Sequence, residues 1–368
     1  MEKRNSILMW MKKRNNILTV ASFIVLAILL YFLDGNLDSY KTRILNLCAI
    51  YVVLSLSMNL INGFTGLFSL GHAGFIAIGA YTTAILSMPI AVKTQNFFLA
   101  PMMKPLDSIY MPFIFALIIG GLLSALVAYL IGAPALRLKG DYLAIATLGF
   151  AEIIRVILTN TQSITNGALG LKGIPPVINL WWTFGVAIIT IVVILSLINS
   201  SYGRALKAIK EDEIAAESMG ISLFKHKVLA FVFGAFFAAI GGGLLANLMG
   251  TIDPLMFRFT LTFNILLIIV LGGMGSVTGT IISTFVITIA GEVLRFLDES
   301  VNLGFVEFKG IAGLRMVVFS ALLMIAVLFF RNGVMGTREF SWDKFIAFFK
   351  NLKELNFLKR KTTAKGGK

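Results

Sequence analysis

Residues 112–131 read PFIFALIIGGLLSALVAYLI, a run without any charged side chain. An α-helix rises 1.5 Å per residue, so about 20 apolar residues cross the hydrocarbon core of a bilayer. The whole chain shares this character, because 58% of its 368 residues are hydrophobic and 14% are charged, against about 25% charged in a typical soluble domain. The sequence therefore predicts an integral membrane protein rather than a soluble fold with one water-bounded core.

Ten apolar runs, each bounded by polar or Gly/Pro-rich segments, are candidate membrane-spanning helices. The predicted fold class is an all-α integral membrane protein with about ten transmembrane helices (eight to ten). The basic N-terminus before the first run resembles a signal peptide, but the length of the run and the Asp34-Gly35-Asn36 after it favour an uncleaved span. The runs are residues 17–33, 44–61, 67–88, 112–131, 141–158, 181–199, 227–249, 260–273, 279–294 and 311–330.

The net charge of +14 is divided unevenly between the two predicted sides of the membrane. Cytoplasmic loops of membrane proteins carry an excess of Lys and Arg. With the N-terminus in the cytoplasm, the predicted outer segments hold eight such residues and the inner segments hold 22. The inner segments are the tail 1–16, residues 133–140, the loop 200–226 with Lys227 at its end, and the tail 331–368. The charge thus predicts both termini in the cytoplasm and a lipid bilayer, not a nucleic acid, as the partner.

Several classes of site are disfavoured by residues that the chain lacks. Cys48 is the single cysteine and only two histidines occur, which argues against a disulfide framework and a metal site. The phosphate-binding pattern G-x-x-x-x-G-K-[ST] is absent, so we expect the chain to bind neither ATP nor Mg²⁺ itself. An enzyme would need clustered acids, histidines or a nucleophile at one membrane face, and the sequence offers no such cluster.

A polar segment, residues 201–220 (SYGRALKAIKEDEIAAESMG), interrupts the apolar background. It predicts two short helices, one over 203–209 and a second that begins near Glu213 and ends at Gly220, a residue able to adopt a positive φ angle. The alanines at 215 and 216 would let another protein surface approach closely. Two interpretations stay open from these residues: a solvated connection between spans, or a surface that another subunit contacts.

Glycine-rich stretches predict two interrupted helices. Non-helical backbone at membrane depth is tolerated only where it is buried in protein or lines a cavity. Residues 62–66 form one such break and residues 272–279 the other, and paired breaks in a transporter indicate the substrate route. Small-residue helix packing is the alternative, and it is the favoured interpretation for Gly74 and Gly79.

Ionisable and polar residues within the spans have two readings. Glu152 and Arg155 are three residues apart, as are Glu292 and Arg295, so each pair can form an ion pair on one helix face. The alternative is a polar lining for a zwitterionic solute. His72 is expected to be a hydrogen-bonded packing residue, with a gating role as the alternative.

Five stretches in chain order resemble one family. They are the loop 201–220, SMNLINGFTGLFSLGHAGFIAIGAY (57–81), KGDYLAIATLGFAEIIR (139–155), TNGALGLKGIP (165–175) and VLGGMGSVTG (270–279). Together they resemble the LivM-type permease of branched-chain amino acid ABC transporters, from about residue 46 to residue 331. One departure is visible, because the resemblance leads us to expect a glycine pair where this chain has Asn166-Gly167. Asparagine also tolerates a left-handed backbone, so we expect the backbone geometry of the glycine pair to be kept.

The resemblance implies the partners and the roles of particular residues. The expected partners are two ABC ATPase subunits carrying ATP and Mg²⁺, a second homologous permease and an extracytoplasmic substrate-binding protein, at a bacterial or archaeal plasma membrane. The loop would then couple this chain to the ATPases, and the candidate coupling residues are Gly203, Arg204, Glu211, Glu213, Ala215, Ala216 and Gly220. The candidate residues of the translocation path are Asn59, Asn62, Gly63, Gly66, His72, Thr147, Glu152, Arg155, Gly272, Gly273 and Gly275.

Two other functions remain open. An importer of urea or a short amide would use a closely related permease, and no residue of the chain separates that solute from an amino acid. An ion-coupled secondary transporter would use the Glu152/Arg155 and Glu292/Arg295 pairs as coupling sites, but it leaves the polar loop unexplained.

After the last span, residues 340–358 predict either a basic amphipathic helix on the inner leaflet or a disordered tail.

Overall fold

The computed structural model describes residues 18, 21–22, 24–138, 140–298, 301–302, 307–308, 313–329, 333–336 and 339. The predicted tail 1–16 and the predicted C-terminal segment 340–358 lie outside these residues. The described part of the chain is mainly helical, with two short antiparallel ladders. One pairs β1 (Leu171–Lys172) with β2 (Thr251–Ile252), and the other pairs β3 (Val301–Asn302) with β4 (Glu307–Phe308).

The helices follow the apolar runs of the sequence, as an all-α membrane protein requires. A π-helical turn, Leu60–Phe64, continues α2, and 3₁₀ turns occur at Gly167–Leu169, Pro254–Phe257 and Leu294–Leu297. The α-helices of the described residues are α1 (Ile24–Asn36), α2 (Ser39–Asn59), α3 (His72–Ser87), α4 (Ile90–Asn96), α5 (Phe113–Ala135), α6 (Asp141–Asn160), α7 (Gln162–Thr165), α8 (Leu180–Asn199), α9 (Ser201–Glu211), α10 (Glu213–Ser218), α11 (Leu223–Met249), α12 (Phe259–Gly272), α13 (Val277–Val293) and α14 (Leu314–Phe329).

Five helices are long and apolar enough to cross a membrane: α2 with its π turn, α5, α6, α8 and α11. The pair α3 and α4, bent by 120°, makes a sixth if it is one span. The shorter apolar helices are α1, α12 and α13, and α12 rises only about 21 Å along its axis. Each of the ten predicted runs coincides with a helix in its described part, although the run 67–88 becomes helical only at His72.

The chain forms two compact units. Ser39–Thr337 is one unit, and it contains the helices from α2 to α14. Met1–Asp38 and Arg338–Lys368 form the other. In its described part, α1 has an Asn36 side chain that donates to the carbonyl oxygen of Phe32, a bond 2.9 Å long within the last turn of the helix.

Helices α3, α5 and α11 form the core of the larger unit because small residues let them approach closely. A methyl group at Gly79 would overlap the backbone of Ala239 on α11, and one at Gly242 would overlap the backbone of Ile76 on α3. Gly74 packs against Ala151 on α6 in the same way. These contacts confirm the packing interpretation of Gly74 and Gly79.

The connections of the larger unit gather at two ends of the helix bundle. At the first end, the backbone N–H of Gly275 donates to Asn59, and that of Met335 donates to Gly272. Helix α9 lies there too, because Lys210 is in contact range of Gly66. We call this end, with residues 60–71, 200–222, 273–276 and 333–336, the α9 end.

The opposite end carries the other connections. The Asn96 side chain donates to Lys172 O and accepts from Lys172 N, both at 2.8 Å, which joins α4 to β1. Ile174 N donates to Gly250 O at 3.0 Å beside the β1–β2 ladder. We call this the β1 end. Segments that the sequence assigns to one side of the membrane thus lie together at one end of the bundle.

We expect Gly79→Ala to destabilise the protein. The added methyl overlaps the backbone of Ala239, and overpacking a core costs about 1–3 kcal/mol. The control is Gly185→Ala on α8, where a methyl meets nothing within 4 Å and a gain of about 0.4–1 kcal/mol is expected. Thermal unfolding of the detergent-purified variants measures the difference, and equal midpoints for the two would contradict the packing argument.

Candidate functional site

The side chain of Asn59 joins the two interrupted helices. It ends α2, is fully buried, and donates from Nδ2 to Ser276 O at 3.0 Å and to Thr280 Oγ1 at 2.8 Å. Its Oδ1 accepts from Gly275 N at 3.0 Å. Gly63 covers this amide, because a methyl group there would overlap Asn59 Oδ1. We call Asn59, Gly63, Gly275, Ser276 and Thr280 the two-break junction.

The backbone after the first break is non-helical from residue 65 to residue 71, and side chains from other elements bond its polar groups. Asn62 Nδ2 donates to Ser69 O at 3.1 Å. Thr147 Oγ1 on α6 accepts from Leu70 N at 3.0 Å. The first turn of α3 is bonded in the same way, since Thr262 Oγ1 on α12 accepts from Ala73 N at 2.9 Å. The structure therefore brings the predicted residues Asn62 and Thr147 to one segment.

His72 begins α3 as a buried, hydrogen-bonded residue. Its Nε2 lies 2.9 Å from Ser57 Oγ and 3.2 Å from Leu54 O on α2, and Ser57 Oγ donates to that same carbonyl at 2.7 Å. These contacts give Nε2 hydrogen-bond partners, as expected of a packing histidine, and they join α2 to α3.

The second break separates α12 from α13. Gly273 and Gly275 have φ angles of 107° and 94°, in the region that favours glycine. Ser276 begins α13 by accepting the N–H of Gly279 on its Oγ at 3.0 Å, which satisfies one of the orphan donors of the first turn. Gly272 lies so close to Gly279 that a methyl group would meet the carbonyl of Gly279. This predicted break is thus both a turn and a close helix crossing.

The remaining predicted path residues form a local ion pair. Arg155 Nε lies 2.7 Å from Glu152 Oε2 on α6, and both side chains are partly exposed. Glu292 accepts a hydrogen bond at 3.0 Å from Tyr40 Oη, at the start of α2. The structure therefore supports the ion-pair interpretation for Glu152 and Arg155, which have no recorded bond to the two-break junction among the described residues.

The predicted pair of short helices in the loop is confirmed as α9 and α10. Ser200 begins α9 by accepting the N–H of Gly203 on its Oγ at 3.3 Å. One face of α9 is buried through Gly203, Leu206 and Ile209. Gly203 packs on the backbone of Ile198, where a methyl group would overlap. This predicted coupling residue therefore holds α9 against the end of α8, whereas Arg204 and Glu211 are exposed.

Helix α10 presents an apolar surface outward. Asp212 begins it by accepting the N–H groups of Ile214 and Ala215 on Oδ1 at 2.8 and 3.0 Å. Ala216 faces inward, with 4% of its surface exposed, while Ala215 is exposed. Ile214 is 78% exposed and Met219 83% exposed. Ile214 within the helix and Met219 just after it are thus two large apolar side chains available to a partner.

Two features fix the orientation of α10. The Glu213 carboxylate accepts from Lys227 Nζ on α11 at 2.6 Å, and the Lys227 side chain is 9% exposed. Gly220 ends the segment with a φ angle of 81°, as predicted, and the next residue, Ile221, donates its N–H back to Ala216 O at 3.1 Å. This is the hydrogen bonding of a glycine-terminated helix.

At the β1 end, Asn166 takes the left-handed conformation that the sequence allowed. Its φ and ψ angles are 60° and 15°, and its Nδ2 donates to Gly170 O at 2.7 Å. Asparagine thus supplies both the backbone geometry expected of a glycine and a side-chain bond that glycine lacks.

No group of three or more His, Cys, Asp or Glu side chains that could hold a metal ion occurs among the described residues.

Sequence reasoning missed several residues of these segments. The exposed Ile214 and Met219 were not singled out, although apolar residues in a polar loop are a usable signal. Asp212 is a helix-start residue by type. Lys210 has no such signal, because its position beside Gly66 depends on how α9 packs.

A family model of branched-chain amino acid transport system permease components matches residues 40–328. The chain belongs to this family. It is 35% identical to the high-affinity branched-chain amino acid transport permease LivM of Escherichia coli K12, over 77% of this chain and 69% of that protein. The LivM of Salmonella typhimurium is also 35% identical, over 68% and 62%. The LivH permease of S. typhimurium is 26% identical, over 84% and 97%.

These similarities confirm the LivM-type resemblance and identify a multi-pass, all-α membrane transport protein. The chain spans about two thirds of the length of the two LivM relatives. The matched residues include the two-break junction and the α9–α10 segment.

We expect Asn59→Leu to destabilise the protein strongly. Leucine has a similar size but leaves Gly275 N without the bond that Asn59 supplies, and a polar group left unpaired inside the protein costs about 1–3 kcal/mol. Ser276 O would keep only its bonds from Thr280. The control is Asn160→Leu, an exposed residue whose recorded bond is local, with an expected change within about 0.5 kcal/mol. Thermal unfolding in detergent compares the two, and equal midpoints would show that the junction does not hold the breaks together.

Proposed function

We propose that this chain is the membrane-spanning permease subunit of an ATP-driven importer for branched-chain amino acids. The observation that carries the proposal is the α9–α10 segment, which presents Ile214 and Met219 outward from a polar loop in a chain of this permease family. Exposed apolar residues surrounded by polar ones are typical of a protein interface. Separate ATPase subunits, which carry ATP and Mg²⁺, contact this segment and hydrolyse the nucleotide.

The α9 end faces the cytoplasm in this proposal. Its support is the excess of Lys and Arg in the segments that gather there and in the two tails. The membrane domain covers residues 17–330 in about ten spans, with both termini inside. The tails 1–16 and 331–368 belong to the cytoplasmic side of a bacterial or archaeal plasma membrane.

Coupling runs from α10 through α9 to the helix breaks. The Glu213–Lys227 ion pair ties α10 to α11, so movement of the ATPase surface is transmitted to a long core helix. The buried face of α9, Leu206 and Ile209, packs against the bundle. Closure of the ATPases therefore shifts the α9 end and the two-break junction together, which opens the substrate route inward.

The other partners follow from the same proposal. A second homologous permease completes the membrane part, and the identity to both LivM and LivH proteins supports a related pair. An extracytoplasmic substrate-binding protein delivers the solute to the β1 end. The residues of the path on this chain are the non-helical segment 65–71, with Asn62, His72 and Thr147, and the second break at Gly272, Gly273 and Gly275.

Two alternatives give different results in one experiment. The full complex is reconstituted in proteoliposomes with the binding protein, and uptake of radiolabelled leucine is measured with and without ATP. ATP-dependent uptake that excess urea does not inhibit is the expected result. Inhibition by urea or a short amide favours that solute class. Uptake by the single chain on an ion gradient without ATP favours a secondary transporter and would overturn the proposal.

We expect the double change Ile214→Glu with Met219→Glu to weaken binding of the ATPase subunits. Losing apolar anchors at the centre of an interface costs more than about 1.4 kcal/mol, or roughly tenfold in affinity. The control is Leu255→Glu, which is 57% exposed at the β1 end. Co-purification of the ATPase subunits measures the effect, and equal retention by both variants would remove α10 from the interface.

A further inference from the structure

Lys210 lies where the cytoplasmic loop meets both helix breaks. A methyl group built at Gly66, just after the first break, would lie 3.1 Å from Cγ of Lys210 and 3.4 Å from its Cα and Cβ. A methyl group built at Gly275, in the second break, would lie 3.2 Å from Nζ of Lys210 and 3.2 Å from the carbonyl oxygen of Gly63. The stem of this one side chain therefore covers the first break, and its ammonium reaches the second.

The surroundings of the ammonium are electrostatically negative. Helix α2 with its π turn ends at Phe64, and α12 ends at Gly272, so two helix C-termini meet at the two-break junction. The last carbonyl groups of a helix carry a partial negative charge that favours a nearby cation within the last turn. Gly63 O belongs to these groups, and it and Nζ of Lys210 each lie 3.2 Å from the position that a methyl group on Gly275 would take.

We propose that Lys210 is the positioning residue that couples α9 to the two breaks, an inference that rests on the proposed function. Its alkyl stem keeps α9 seated over Gly66, while its positive charge holds the ends of α2 and α12 together beneath α9. When the ATPase subunits move the loop, Lys210 carries that movement to both breaks at once. Arg137, which follows α5 in the predicted inner segment 133–140, is exposed like Lys210 but is not among the nearest neighbours of either glycine.

The test measures leucine taken up per ATP hydrolysed by the reconstituted complex. Lys210→Met keeps the length and apolar contact of the stem but removes the charge, and we expect the ratio to fall about fivefold. Lys210→Arg keeps a cation and should retain at least about half of the wild-type ratio. Arg137→Met removes a charge from the same predicted side of the membrane, outside the α9–α10 segment, and should leave the ratio at the wild-type value.

The outcomes separate this inference from the function on which it rests. If the wild-type complex shows no ATP-dependent uptake, the proposed function fails and this inference fails with it. If the wild type transports leucine and Lys210→Met has the wild-type ratio, the coupling role of Lys210 is wrong while the proposed function stands. An equal loss in Lys210→Met and Arg137→Met, or in Lys210→Met and Lys210→Arg, also overturns it, because the effect would then be the net charge of the inner segments or general damage to α9.

Discussion

A bilayer offers no water to hydrogen-bond an interrupted helix, so each free backbone group needs a partner from within the protein. This chain interrupts its helices twice at one end of the bundle, and the Asn59 amide bonds the second break directly. It donates to Ser276 O and accepts from Gly275 N. The other features of this end follow, because Gly63 has to leave room for that amide. The two breaks are therefore one structural unit.

Helix α9 connects this unit to the polar loop. Ile209 is buried on the face that holds α9 to the bundle, and the next residue, Lys210, contacts both breaks. Helix α10 follows directly, fixed by Asp212 at its start and by the Glu213–Lys227 pair. Few flexible elements therefore separate α10 from the breaks, so a movement of α10 would be transmitted to them. This short connection suits a transporter whose energy source lies on separate subunits.

Local patterns predicted most of the helices, because apolar runs and glycine positions depend on near neighbours in the sequence. The run 112–131 became α5 (Phe113–Ala135), and Gly220 ends its segment at a positive φ angle. The run 67–88 was wrong at its start, since leucine and phenylalanine at 67, 68 and 70 resemble helix. Bonds to Asn62 and Thr147 hold that backbone in a non-helical conformation instead. The spacing of apolar residues in the sequence gives no information about such distant partners.

The polar residues within the spans also differ in whether their bonding partners are near or far in the sequence. Glu152 and Arg155 form an ion pair within one helix. Their pairing was therefore predictable from spacing, and it requires no residue from another helix. Asn59 bonds residues more than 200 positions later in the chain, and its effect depends on three helix ends staying together. A local pair survives movement of its helix unchanged, whereas a junction between helices changes whenever they move. In the proposed mechanism, the residues that respond to ATPase movement are therefore those whose partners the sequence could not identify.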